Sequence, residues 1–109
     1  MGQSPYKTMW LIAMFDLPVD SEEGKKAYIT FRKALLKSGF MMLQYSVYGR
    51  HCESEEAAKV HRRRLKQHLP ERGQVRVITL TDVQFGKMEV YQGKKRGKTE
   101  ESPQQLMLF

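Results

Sequence analysis

A chain of 109 residues carrying 19 lysines and arginines against 12 acids, for a formal charge of +7, has room for one domain with a modest core. Its single cysteine, Cys52, excludes an internal disulfide, suits a reducing, cytoplasmic setting, and as a lone thiol near a turn is expected to be inert. The positive excess points to a polyanionic partner, nucleic acid first and an anionic membrane surface second, with a merely basic soluble protein as the plainer reading.

Residues 1–7 hold Gly2, Ser4 and Pro5 without periodicity and read as a loose lead. Met9-Trp10-Leu11-Ile12-Ala13-Met14-Phe15 then gives an unbroken apolar run, closed by Asp16 with Pro18 two positions on. The run is too short to span a bilayer, and no small-residue cleavage site follows it, so neither a membrane span nor a signal peptide is expected. It predicts a strand over about 8–16, buried on both faces and hence central in its sheet. Pro18 cannot continue a central strand, so the strand stops at or just after Asp16. Alternation places Trp10, Ile12, Met14 and Asp16 on one face and Met9, Leu11, Ala13 and Phe15 on the other. Asp16 therefore extends a row of buried side chains at the sheet edge, where a carboxylate calls for a hydrogen-bond donor, a cation or a metal.

Asp20, with Glu23 three positions on, fits a helix cap better than the second half of a carboxylate pair with Asp16. The helix is expected over 21–38 and ends at Gly39. Ala27, Tyr28, Phe31, Ala34 and Leu35 form its core stripe, with Lys25, Lys26, Arg32, Lys33 and Lys37 away from it. Ile29 and Leu36 make a second small apolar patch among these cations. Residues 40–50 are strand-like, and a second helix is expected over 53–69, stopped by Pro70. Its core side collects Ala57, Ala58, Leu65 and Leu69. His61 and His68 lie close to that stripe and are expected to be packed or hydrogen-bonded, with no metal assigned to either. The opposite side is cationic throughout: Lys59, Arg62, Arg63 and Lys66, with Arg64 at the margin and no acid between Glu56 and Glu71. A solvated face usually mixes signs, so this stripe is a candidate phosphate-backbone contact.

Residues 74–81 alternate as a strand, and a short strand is expected around 88–91. The chain thus divides into a folded domain over 1–91, a polar basic linker over 92–103 and an apolar tail over 104–109. Leu106, Leu108 and Phe109 give that tail its docking residues. Two helices cover one face of a small sheet. The central strand is apolar on both faces, so the second face is expected to pack against another copy, giving a homodimer.

The combination of Phe15-Asp16 ending the first strand, a basic helix, and Lys37-Ser38-Gly39-Phe40 leading to Gln44-Tyr45-Ser46-Val47-Tyr48 resembles the CRISPR-associated protein Cas2 family over about residues 9–91. The resemblance implies an α+β, ferredoxin-like antiparallel sheet with two helices on one face, dimerising through the sheet, with 40–50 as a two-stranded hairpin. It implies metal-dependent nuclease activity on RNA or double-stranded DNA, with Asp16 as catalytic residue and magnesium ligand. It also implies a place as the bridge between two dimers of the Cas1 integrase, holding the prespacer DNA inserted during CRISPR spacer acquisition. Within that picture Lys25, Lys26, Arg32, Lys33, Arg62, Arg63 and Lys66 are the expected DNA contacts, gripping phosphates without reading sequence. One carboxylate is a thin catalytic set, so the scaffold role is preferred over the nuclease. The tail, Gln105-Leu106-Met107-Leu108-Phe109, resembles the short peptide by which bacterial proteins dock on the DNA-polymerase sliding clamp. Docking on a sheet edge or on the integrase is preferred. A reading of another class is a non-catalytic ferredoxin-like RNA-binding or regulatory module that stacks bases on Trp10, Tyr45 and Tyr48 wherever the sheet face is open.

Overall fold

A computed structural model describes residues 8–103 of the chain. Both ends, and with them the tail residues Leu106, Leu108 and Phe109, lie outside the described residues. Strand β1 (Met9–Asp16) leads to helix α1 (Glu22–Lys37), a hairpin of β2 (Met41–Gln44) and β3 (Val47–Cys52), helix α2 (Glu55–Lys66) and strand β4 (Gln74–Thr81). The four strands form one antiparallel sheet in the order β2-β3-β1-β4. This is the ferredoxin-like arrangement, and residues 40–50 do fold as part of a hairpin. Beyond β4 come a five-residue helix α3 (Asp82–Gly86) and a small hairpin of β5 (Val90–Gln92) and β6 (Lys95–Gly97).

β1 is central because nearly every side chain in it has an apolar destination. Met9, Leu11, Ala13 and Phe15 face the helices and form one core with Phe31 and Leu35 of α1, Ala58 and Leu65 of α2, and Tyr48. On the other face Trp10 and Ile12 form a second, smaller cluster with Phe85 of α3, flanked by Met14, Leu43, Val47, Leu80 and Met88. Ala27 and Leu69, expected in the helix-side core, are exposed. Leu69 lies beyond the end of α2, which stops at Lys66 and so falls short of Pro70.

The helix starts are set by serines. Ser21, not Asp20, caps α1: its Oγ accepts from the Gly24 N–H at 3.0 Å, and its backbone is extended. Asp20 sits one residue too early for that bond and is exposed. Ser54 caps α2 in the same way through Ala57 N–H. Glu22 and Glu23, and Glu55 and Glu56, fill the two first turns, where the helix dipole favours anions. Gly39 ends α1 with φ +85°, and a side chain there would run into the guanidinium of Arg50.

Helix α3, which no sequence expectation included, packs on the second face. Thr81 and Gln84 form a capping box at its start. Phe85 then stacks on Trp10 with ring centroids 4.0 Å apart and planes 9° from parallel. Trp10 Nε1 donates to Asp82 Oδ1 at 2.8 Å inside this contact, and Ser102 Oγ donates to Asp82 Oδ2 at 3.3 Å. The segment expected to be a plain linker over 92–103 therefore contains a β-strand and returns to the core: Ser102 is fully buried, and Thr99 Oγ1 donates to the Met88 carbonyl at 2.6 Å. α3 covers the Trp10 end of the second face, while Met41 on β2 and Ile78 on β4, both level with Ile12, remain 44% and 46% exposed. No described helix is long and apolar enough to cross a membrane.

Replacing Trp10 by Phe keeps an aromatic ring against Phe85 but removes the donor to a buried carboxylate. The expected loss is about 3 kcal/mol of folding stability, measured by urea denaturation. A loss below about 0.5 kcal/mol would mean that the Trp10–Asp82 bond contributes nothing net.

Candidate functional site at the end of the central strand

Asp16 is the last residue of β1 and pairs with Gln74 of β4. It shares a face with Trp10, Ile12 and Met14 as expected, but it is exposed and does not extend the buried row. The cause is the sheet outline: β3 pairs β1 only from Met9 to Met14, so the strand outruns its neighbour on that side. Among the described residues nothing hydrogen-bonds or ion-pairs with the Asp16 carboxylate. The main chain around it is nevertheless held tightly. Phe15 N–H donates to the Ser46 carbonyl at 3.0 Å. Gly73, at φ +92°, lies so close that a Cβ there would stand 2.7 Å from the Asp16 carbonyl oxygen. Only glycine satisfies both the left-handed φ and that approach.

The turn next to Asp16 is strained. Tyr45 and Ser46 link β2 to β3, and Ser46 adopts φ +61°, alone among the described non-glycine residues in having a positive φ. For serine this costs on the order of 1 kcal/mol. Ser46 Oγ lies 3.2 Å from Tyr28 Oη, and the Tyr28 ring stacks on Tyr45 at 5.9 Å. Alternation through Tyr45-Ser46-Val47-Tyr48 reads as strand and signals neither this turn nor its positive φ.

The seven cations singled out in the sequence separate into two sets. Lys25 sits 3.5 Å from Glu22, Arg32 Nε donates to Tyr48 Oη at 2.9 Å, and Arg62 Nη1 donates to Thr79 Oγ1 at 2.9 Å. Lys26, Lys33, Arg63 and Lys66 are exposed, with no such bond among the described residues. Lys59, Arg62, Arg63 and Lys66 rim an open groove of about 540 Å³ between α2 and β4, floored by Leu65, Leu69, Val75 and Val77. The cationic stripe is therefore one wall of a concave surface, which periodicity alone could not reveal.

One cation went unremarked in the sequence. Arg50 faces the helices from β3, and its Nη2 lies 2.9 Å from His61 Nε2. His61 is thus hydrogen-bonded, as expected, whereas His68 is exposed. Burial lowers the His61 pKa from its ordinary value, and the charges of Arg50 and Arg64 lower it further. His51, edge-on to Trp10 at 5.5 Å, is also lowered by burial, against the opposing pull of Asp82 and Glu53. Of the aromatics proposed to stack bases on an open sheet, Trp10 and Tyr48 are each 1% exposed, so neither is available; Tyr45 is 74% exposed. Among the described residues, no three of His, Cys, Asp and Glu cluster as a metal site.

The sequence pattern of the family described as CRISPR associated protein Cas2 matches residues 9–88. The chain belongs to the Cas2 family. It is 57% identical over 101 residues to a protein of Parvibaculum lavamentivorans named CRISPR-associated endoribonuclease Cas2, covering 93% of this chain and all of that one. A protein of the same name from Flavobacterium psychrophilum is 45% identical over 104 residues, covering 95% of this chain and 90% of the relative. In shape the chain is similar to a solved structure titled "Crystal structure of cas2", with a TM-score of 0.56 and 19% identity over 87% of this chain and 97% of that one, a likeness of fold.

The two histidines give this Cas2 chain a defined acid response. Their folded pKa values lie below the ordinary 6.5, so the unfolded state takes up protons first as the pH drops. Stability should be flat above about pH 7.5 and fall as the pH passes below about 6.5. Thermal melts across that range check this. A His51→Gln/His61→Gln chain, whose side chains do not titrate, should show a shallower decline.

Proposed function

We propose that this protein acts in CRISPR spacer acquisition as a homodimeric, DNA-holding bridge between Cas1 integrase dimers, with Asp16 as a magnesium ligand for phosphodiester hydrolysis. The observation that carries this reading is the division of the sheet. One face bears two helices whose outer sides are cationic. The other leaves Met41 and Ile78 exposed beside the partly covered Met14, Leu43 and Val47, with Asp16 at the end of the same face. Covering that apolar area with a second copy places two Asp16 carboxylates in one assembly and leaves the four helices outward.

Double-stranded prespacer DNA lies across the helices, its phosphates met first by Lys26, Lys33, Arg63 and Lys66. Of the seven candidate contacts, these are the ones with no fold-internal bond among the described residues. Arg32 and Arg62, fixed on Tyr48 and Thr79, offer guanidinium groups already positioned, and Lys25 exchanges Glu22 for phosphate. Such contacts are independent of base sequence and depend steeply on salt.

The Asp16 site fits magnesium in a limited way. That ion keeps several waters and is commonly held by one or two carboxylates together with substrate phosphates. Asp16 supplies an exposed carboxylate on a main chain pinned by Ser46 and Gly73, and a dimer supplies a second. When bound there, the ion would polarise a phosphoryl oxygen and stabilise the charge that develops on it as the ester is attacked. Asp16 would be the protein ligand that holds the ion, and RNA and double-stranded DNA both carry phosphates for it to meet. The tail residues Leu106, Leu108 and Phe109 serve partner docking, on a sheet edge or on the integrase. A pull-down with purified sliding clamp, with and without the last five residues, separates that role from clamp binding.

Two measurements test the proposal. Spacer integration reconstituted with the cognate integrase in magnesium should proceed with Asp16→Ala if the bridge is the physiological role. Failure of integration while dimer and complex still form puts metal chemistry at Asp16 first. Separately, the Lys33→Ala/Arg63→Ala/Lys66→Ala chain should bind duplexes of any sequence more weakly. The slope of log affinity against log salt should fall by about 3; an unchanged slope removes these residues from the DNA contact.

A further inference from the structure

Tyr45 presents a large aromatic ring to solvent, 74% exposed, from the tip of the β2–β3 turn. An exposed tyrosine is ordinary; the way this one is held is not. Its ring stacks on Tyr28 at 5.9 Å with planes 19° apart, and Tyr28 packs in turn against Phe15 at 5.7 Å. The next residue, Ser46, is locked by three features: the left-handed φ, the hydroxyl contact to Tyr28, and the bond from Phe15 N–H to its carbonyl. The turn that carries Tyr45 is therefore tied to the residue that precedes Asp16. Two cations flank the pair on α1, Lys25 three residues before Tyr28 and Arg32 four after it, on the same side of the helix. Arg32 is fixed through Nε alone among the described residues, so its remaining nitrogens are available.

We propose that Tyr45 is a stacking platform for an unpaired nucleotide base, with Arg32 and Lys25 taking the neighbouring phosphates, beside the strand end that carries Asp16. This rests on the nucleic-acid reading above and narrows it to a single-stranded or frayed segment. Bases within a duplex already stack on one another and offer no free face, so only an unpaired base can lie on the ring. A ring backed by Tyr28 on a fixed turn loses little freedom when a base covers its open side. Stacking of this kind tolerates any base, which matches cations that read no sequence.

The test uses the full chain in calcium, to hold back hydrolysis, and two probes. One is a short single strand, as RNA and as DNA, with one 2-aminopurine; the other is a blunt duplex of the same sequence. Wild type should bind the single strand with quenching of the 2-aminopurine. Tyr45→Ala should weaken that binding about tenfold and abolish the quenching, while Tyr45→Phe keeps both and duplex binding is unchanged in all three. Because Tyr45 is exposed, the alanine chain should melt close to wild type. Wild-type binding and quenching in Tyr45→Ala overturn the platform alone, as does an equal loss on duplex and single strand. A wild type that binds neither probe overturns the nucleic-acid reading, and the platform with it.

Discussion

The whole structure depends on β1 being apolar on both faces in the middle of a sheet. A strand of that kind has no side for water, so the chain must supply cover twice. α1 and α2 cover the Leu11 and Phe15 face, and α3 covers the Trp10 end of the other. Burying Trp10 then creates a requirement of its own, because an indole N–H removed from water needs an acceptor. Asp82 supplies it from the first turn of α3, and Ser102 returns along the chain to the same carboxylate. One ring's burial thus explains why the residues after β4 fold back instead of leaving the domain.

The candidate site lies where that cover runs out. β3 stops pairing with β1 at Met14, and α3 reaches only the opposite end of the face. Asp16 is therefore left open to solvent on a strand whose other residues, apart from the half-buried Met14, are buried, a position that is held in its main chain and free of side-chain bonds among the described residues. That combination suits a group meant to meet something from outside. The strain at Ser46 belongs to the same economy of parts: the turn must close within two residues and still hand its carbonyl to Phe15, and the left-handed φ makes both happen. Backbone strain beside a solvent-facing carboxylate is where functional sites commonly keep it.

Much of this was legible in the residues because the signals were long or doubled. The seven-residue apolar run, the helix stripes and the alternation of 74–81 each extend over several periods, and they placed β1, both long helices and β4. The two-faced burial of β1 also showed that something must lie on the second face. Short signals failed. Asp20 and Ser21 are both capping residues one position apart, and only the backbone angle decides between them. α3 carried a Thr-x-x-Gln box at Thr81 and Gln84, but the preceding alternation swallowed Thr81 into a strand and left too few residues for a helical period. The exposure of Asp16 was misjudged because it depends on the length of β3, a strand far away in sequence. Contacts such as Arg32 with Tyr48, or Arg50 with His61, are set by tertiary placement and have no local signature.

The same geometry bears on how one carboxylate can matter in a fold that offers no catalytic cluster among its described residues. In the proposed reading a site with one residue per protomer would be completed only when the uncovered part of the apolar face meets a second copy, so assembly and chemistry would be decided by one surface. The cations on the far side of the helices are separated from that surface by the full thickness of the core. In the proposed reading, duplex on the α2 cations and a phosphate at Asp16 would therefore meet different sides of the molecule, so that one chain would hold duplex at one place and meet a strand end at another.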